Sequence, residues 1–285
     1  MIKYAVIGDP ISHSRSPGMQ NAAFEKAQLG RPYGRIHVLP QDLGSFAAWA
    51  RENLSGVNIT VPHKEKIIPF LDEIDPRAAA CGSVNTLKIS GGRITGYSTD
   101  GIGLEHAVEK NFSIPAAGRT FCFTGCGGAC RAAAFHLAAE GAARIFLFNR
   151  TVEKAQTLAE DIARHYGNCR LEAGSIADQT ALGNAIVCSD VLVQATSLGL
   201  HENDPAPFEL ALLLENRKIA VFDTIYKNTP LLQFCRENDI ACAGGRNMLI
   251  YQGAASFRLW TGIDPDIEAM QQGFDITPVT DGDGR

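Results

Sequence analysis

Phe121-Cys122-Phe123-Thr124-Gly125-Cys126-Gly127-Gly128-Ala129-Cys130-Arg131 passes from an apolar run through a Gly-x-Gly-Gly turn into an alanine-rich segment. A strand, a tight turn and a helix in that order form the setting a dinucleotide needs. The glycines let backbone approach a pyrophosphate, and the helix start presents free N–H groups and a positive dipole end. Gly125, Gly127, Gly128 and Ala129 are therefore the candidate pyrophosphate contacts, and Cys130 serves as the small residue where helix meets strand. Working outward, the periodicity predicts strand 120–123, helix 129–140, strand 144–148, helix 153–165 and strands 191–194 and 219–222. Such an alternation builds a doubly wound parallel sheet. About 20 residues after the glycines an NAD site usually presents a carboxylate to the ribose. Here the second strand ends in Asn149-Arg150-Thr151 instead. A 2′-phosphate would meet the Arg150 guanidinium, the Thr151 hydroxyl and a helix start, so NADP is expected as cofactor rather than NAD. Outside that role Arg150 is an ordinary surface charge.

The chain has 285 residues, which at about 150 per domain predicts two domains. Apolar residues make up 45% and charged residues 20%, the balance of an ordinary globular protein. A net charge of −5 lacks the basic excess that nucleic-acid binding needs. No charge-free run reaches the roughly 18 residues of a membrane span, and the apolar start is too short for a signal peptide. A cytoplasmic protein is expected. Of 8 cysteines, 7 sit among apolar or small residues and none forms a Cys-x-x-Cys pair. Cys122, Cys126 and Cys130 fall on a strand, a turn and a helix, which would not converge on one ion, so no metal is expected.

In the first hundred residues strands are predicted at 2–7, 35–39, 57–61, 84–88 and 93–97, the last two joined as a hairpin by Ser90-Gly91-Gly92. Helices are predicted at 17–29, 42–53 and 64–71, with Ser16 and Pro17 starting the first. Further helices fit 100–110 and 247–260, and the Asp-, Gly- and Thr-rich tail 277–285 is expected to be frayed. Three polar clusters stand out. Ser14 and Ser16 precede a helix and suit a carboxylate, although Ser16 alone could be a cap. Asn58, Thr60 and Pro62 alternate along one strand face, and Lys64 follows where a helix start would disfavour a cation. Asn85 and Asp100 complete the set, Asp100 serving equally as a cap for the helix after it.

These clusters resemble one family. Residues 11–17 (Ile-Ser-His-Ser-Arg-Ser-Pro), 58–65 (Asn-Ile-Thr-Val-Pro-His-Lys-Glu), 83–86 (Ser-Val-Asn-Thr), 99–101 (Thr-Asp-Gly), 125–132 and 149–151 occur in the order found in shikimate dehydrogenases. Ala195 to Gly199, Asp223 through Tyr226 to Leu232, and Met248 to Gln252 continue the likeness over nearly the whole chain. The resemblance implies two α/β domains: a substrate domain of residues 1–101 and 246–285 with a mainly parallel sheet, and a Rossmann-like NADP domain of residues 102–245. It implies reversible NADPH-dependent reduction of 3-dehydroshikimate to shikimate on the route to chorismate and the aromatic amino acids. Lys64 and Asp100 would be catalytic. Ser14, Ser16 and Tyr226 would hold the carboxylate, Thr60, Asn85 and Gln252 would meet ring oxygens, and Thr196 would join the cofactor site. Gln194 and Ser197 stand where the family usually has Asn and Pro, and the stretch from Tyr226 to Thr229-Pro230 is shorter than usual. A dual quinate/shikimate dehydrogenase and a noncatalytic NADP sensor are the alternatives. Partners are limited to a small-molecule substrate, and monomer and homodimer both remain open.

Overall fold

The computed structural model describes residues 2–201 and 203–276, so the tail expected to fray lies outside the described residues. The chain forms two compact units. One holds the described residues up to Gly103 and from Leu249 onward, and the other is Leu104–Met248.

The first unit contains β1 (Tyr4–Gly8), β2 (Tyr33–His37), β3 (Gly56–Ile59), β4 (Glu73–Ile74), β5 (Thr86–Ser90) and β6 (Arg93–Tyr97). They make a six-stranded sheet in the order β2-β1-β3-β5-β6-β4. Strand β1 pairs parallel with β2 and β3, and β4 pairs parallel with β6, whereas β5 is antiparallel to both its neighbours. The reversal at β5 is the expected hairpin, its turn made by Gly91 and Gly92 at φ +57 and +75. Period-two alternation divides β3 between two environments. Val57 and Ile59 pack with Ala5, Ile7 and Leu87 beneath α2 (Leu43–Asn53), while Asn58 faces the other side. That other side is covered by α1 (Ser16–Lys26) and by residues 250–274, through a cluster of Val6, Met19, Phe24, Ile250, Phe257 and Met270. Each such side chain contributes about 1.5–3 kcal/mol on burial. A short helix, α3 (Pro76–Cys81), precedes the hairpin, and α4 (Asp100–Phe112) leads out of the unit.

The second unit contains β7 (Thr120–Thr124), α5 (Gly128–Ala139), β8 (Arg144–Asn149), α6 (Val152–His165), β9 (Arg170–Ser175), α7 (Gln179–Val187), β10 (Val191–Gln194), β11 (Ala220–Asp223), α8 (Pro230–Glu237) and β12 (Cys242–Gly244). All its pairings are parallel, in the order β12-β11-β10-β7-β8-β9. The chain starts in the middle at β7, builds one half outward, then returns to build the other. Between β7 and β10 the direction of winding changes, and ligands of such sheets bind at the carboxyl ends of the strands flanking that point. Helices α9 (Arg246–Thr261) and α10 (Ile267–Asp275) close the chain.

Two local expectations fail. Residues 64–71 do not form a helix: the chain makes turns and a single 3-10 turn at Ile68–Phe70, because Pro69 lacks the N–H that helix continuation requires. Ser16 is the first residue of α1 rather than its cap, and Arg15 occupies the cap position. The Ser14 hydroxyl oxygen accepts the Ser16 N–H at 3.3 Å. No helix among the described residues is long and apolar enough to cross a membrane.

Candidate active site

After β3 the chain turns sharply, with His63 N–H bonded to Thr60 O at 2.9 Å, and this turn delivers Lys64 to the first unit's polar centre. Val84 N–H donates to the Lys64 carbonyl at 3.0 Å, so the backbone behind the side chain is pinned. The Lys64 ammonium lies 2.5 Å from Asp100 Oδ2, with side-chain exposures of 19% and 9%. A pair so sheltered from water keeps far more of its attraction than a surface pair. No helix begins at Lys64, so the expected cation at a helix start is not found there, and Asp100 is the charge it faces.

Asn85 donates its amide to Asp100 Oδ1 at 2.9 Å, so both carboxylate oxygens have donors. Its orientation follows from one neighbour: Thr99 N–H donates to Asn85 Oδ1 at 2.7 Å. A backbone N–H can only donate, so the amide oxygen must face Thr99 and the NH2 must face Asp100. Gln252, from α9, accepts from the same NH2 at 3.3 Å. Lys64, Asp100, Asn85 and Gln252 are thus brought together directly. Asp100, the first residue of α4, is an ion-pair partner as well as a helix start.

Behind them lies a buried polar lattice. Asn58 donates to Ser256 Oγ at 3.0 Å and to Thr86 Oγ1 at 3.2 Å, and those two hydroxyls are 2.7 Å apart. The Tyr33 phenol donates to Asn58 Oδ1 at 2.7 Å, and the Ser16 hydroxyl bonds the same phenol. Burial raises the Tyr33 pKa well above its usual value, and the Ser16 bond opposes that rise only in part. Ser16 therefore joins the lattice through Tyr33, and Ser14 adjoins it. Thr60 has its methyl against Gly8, where an added Cβ would lie 2.6 Å away. Tyr33 and Ser256 were not legible as site residues. Ser256 stands four residues from Gln252, one helical turn on, and that spacing is the sequence signal for it.

In the second unit Gly125 has φ +95, and a Cβ there would come within 2.9 Å of the Ala195–Thr196 backbone. Gly127 and Gly128 differ: a Cβ on either would meet nothing within 4 Å. Their bareness serves no internal packing. It leaves open space over the start of α5, whose cap residue Gly127 offers no side chain to its N–H groups. Ala129 follows in the first turn of that helix. This uncapped, unfilled cradle fits a pyrophosphate. Asn149 Oδ1 accepts Cys126 N–H at 3.1 Å, and Asn149 Nδ2 donates to Thr151 O at 2.9 Å, so Asn149 links the glycine turn to the Arg150 segment. Arg150 and Thr151 are exposed at the start of α6, and among the described residues Arg150 makes no ion pair. Thr196 lies on the Gly125 turn, while Tyr226 is exposed in the loop after β11 of this same unit. The eight cysteines are free thiols. Burial pushes Cys169 up to about 11 and Cys235 up to about 12, which leaves both unreactive. Among the described residues no group of three or more His, Cys, Asp or Glu could hold a metal ion.

Comparison with known proteins bears on both units. The shikimate dehydrogenase substrate binding domain matches residues 6–87, the shikimate/quinate 5-dehydrogenase model matches 106–201, and the shikimate 5′-dehydrogenase C-terminal domain matches 245–272. A shikimate dehydrogenase (NADP(+)) of Methanocaldococcus jannaschii is 38% identical over 270 residues, covering 93% of each chain. The chain belongs to the shikimate dehydrogenase family. A crystal structure of shikimate dehydrogenase in complex with NADP+ superposes with a TM-score of 0.88 at 34% identity, covering 98% of this chain and 96% of that one. The Thermus thermophilus shikimate 5-dehydrogenase, in complex with NADP(H) and shikimate, gives 0.84 at 32% identity, covering 96% and 98%. Among shikimate dehydrogenase segments, the one matched as substrate binding contains Lys64 and Asn85, and the C-terminal one contains Gln252.

Proposed function

We propose that this chain catalyses the reversible, NADPH-dependent reduction of 3-dehydroshikimate to shikimate. The observation that carries the reading is the Lys64–Asp100 pair, sheltered from water and fixed by Asn85 within the unit that contains the substrate-binding match. NADPH, when bound, supplies the hydride that adds to the C3 ketone. As the carbonyl oxygen takes on negative charge, Lys64 stabilises it and transfers a proton from Nζ, giving the alcohol and a neutral amine that water reprotonates. Asp100 does not give up a proton. Held between Lys64 and Asn85, it orients the ammonium. In the reverse direction neutral Lys64 accepts the hydroxyl proton.

Ser14 and Ser16 are assigned to the substrate carboxylate and Thr60, Asn85 and Gln252 to its ring oxygens, with Tyr226 assisting at the carboxylate. Gly125, Gly127, Gly128 and Ala129 would hold the pyrophosphate, Asn149, Arg150 and Thr151 the 2′-phosphate, and Thr196 the nicotinamide end. On this reading the first unit is the substrate domain and the second the NADP domain. Eight free thiols favour a reducing compartment, so the reaction is assigned to the cytoplasm.

One assay tests the whole reading: oxidation of shikimate and of quinate, each with NADP and with NAD. Turnover of shikimate with NADP and little with the other three combinations is expected. Equal quinate turnover would make it a dual enzyme, and NADP binding without turnover would make it a sensor. Arg150→Ala should raise KM for NADP by about tenfold and leave NAD use nearly unchanged, as loss of one charge-assisted contact implies. Equal losses with both cofactors would refute the 2′-phosphate assignment.

A further inference from the structure

Gln194 and Asp223 end the neighbouring strands β10 and β11 and stand opposite each other in the register, both fully buried. Each uses a side-chain oxygen in the same way. Asp223 Oδ1 accepts the N–H of Ile225 at 3.0 Å, and Gln194 Oε1 accepts the N–H of Thr196. The extra methylene of Gln194 then lets its NH2 reach Leu198 O at 3.0 Å and Asp223 Oδ1 at 3.5 Å. One amide thereby ties residues 194–198 into a closed loop and leans it on the next strand. The loop lies on the glycine turn, because a Cβ on Gly125 would come 2.8 Å from Thr196 N and 2.7 Å from Thr196 Cγ2. On the far side Asp223 Oδ2 accepts from the Thr229 hydroxyl at 2.7 Å, and Thr229 in turn crowds Gly199, which has φ +106. Burial raises the Asp223 pKa, so each donor aimed at this carboxylate matters to its ionised form.

We propose that Gln194 is a positioning residue for the dinucleotide: by binding Thr196, Leu198 and Asp223 it seats the 195–199 loop on the Gly125 turn and so sets NADP affinity. The inference rests on the NADP reading above. It is tested by equilibrium titration of the full chain with NADPH, followed by nucleotide fluorescence, beside steady-state KM values for both substrates. Gln194→Met keeps the length and removes both amide functions, leaving the partly buried Thr196 N–H and Leu198 carbonyl without their partner. NADPH dissociation should weaken by about tenfold, with KM for shikimate essentially unchanged. Gln194→Asn can still accept from Thr196 as Asp223 accepts from Ile225, and should stay within about threefold of the parent.

Unchanged NADPH affinity in Gln194→Met or equal weakening of NADPH and shikimate would each overturn the proposal. If Gln194→Met does not fold, Gln194→Glu decides. It retains the acceptor for Thr196 but sets a second carboxylate beside Asp223, and a parent-like affinity there would overturn the proposal as well. Absence of NADPH binding in the parent protein would instead refute the cofactor reading, so the two failures are distinct.

Discussion

The two units place their polar chemistry in opposite ways. The first is built from buried side chains that satisfy one another: Asn58, Asn85, Thr86, Thr99 and Ser256 are each 5% exposed or less, and their amides and hydroxyls meet from segments up to 198 residues apart. The second is built from backbone and emptiness, with Gly127 and Gly128 beside open space and Arg150 and Thr151 exposed. A small polyol needs many directed contacts, which only fixed side chains provide. A pyrophosphate needs N–H groups and room, which a helix start provides once side chains are removed. If that contrast is right, substitutions in the first unit should act through positioned atoms and stability, and those in the second through access.

The largest effect should come from the side-chain site. Lys64→Ala is expected to lower kcat by roughly 10²–10⁴-fold with little change in KM for shikimate, the pattern of a contact made mainly in the transition state. A retained kcat with a large rise in KM would take Lys64 out of the chemistry and weaken the contrast. Next is Ser256→Ala, which leaves Asn58 and Thr86 short of a partner. It should cost about 1–3 kcal/mol in urea unfolding while NADP binding stays unchanged. Gly127→Ala tests the other unit. The backbone there is extended at φ −83 and the new methyl meets no protein atom, so folding should be unaffected while NADP binding weakens by about tenfold as the cradle fills. A loss of stability in place of affinity would mean the glycine serves the fold.

The smallest effect concerns pH. Asp204 accepts the N–H groups of Gly199 and His201 at 2.9 Å each, and these bonds hold its carboxyl below the usual 3.8. The folded value is the lower one, so its contribution is fully present above pH 3.8 and is lost as pH falls through the folded value. Asp204→Ala should lower Tm slightly at pH 7, and the two proteins should converge in acid. A difference that persists in acid would refute the linkage.

Most of the nucleotide unit was legible because its information is contiguous. The glycine turn and the Asn149-Arg150-Thr151 segment carry their meaning within one strand–turn–helix unit each, and hydrophobic period identified the strands around them. The edge elements were not. Strand β9 is only partly buried and β12 is both partly buried and three residues long, so neither carries a strong apolar period. In the substrate unit the strands near the front of the chain were readable, yet the helix expected at 64–71 was lost to Pro69, and with it the argument from a helix dipole at Lys64.

The sequence by itself determined the fold class and located the glycine turn, since local propensity and short motifs encode these within a few residues, while Lys64 and Asp100 were paired only by the family resemblance. Only the tertiary structure decided that Thr99 N–H turns the Asn85 amide toward Asp100, that Ser256 and Tyr33 belong to the lattice behind it, and that Gln194 leans on Asp223. The physical reason is direction. A hydrogen bond depends on which way a donor points at a distant acceptor, and that is settled only when the strands and helices carrying them have packed.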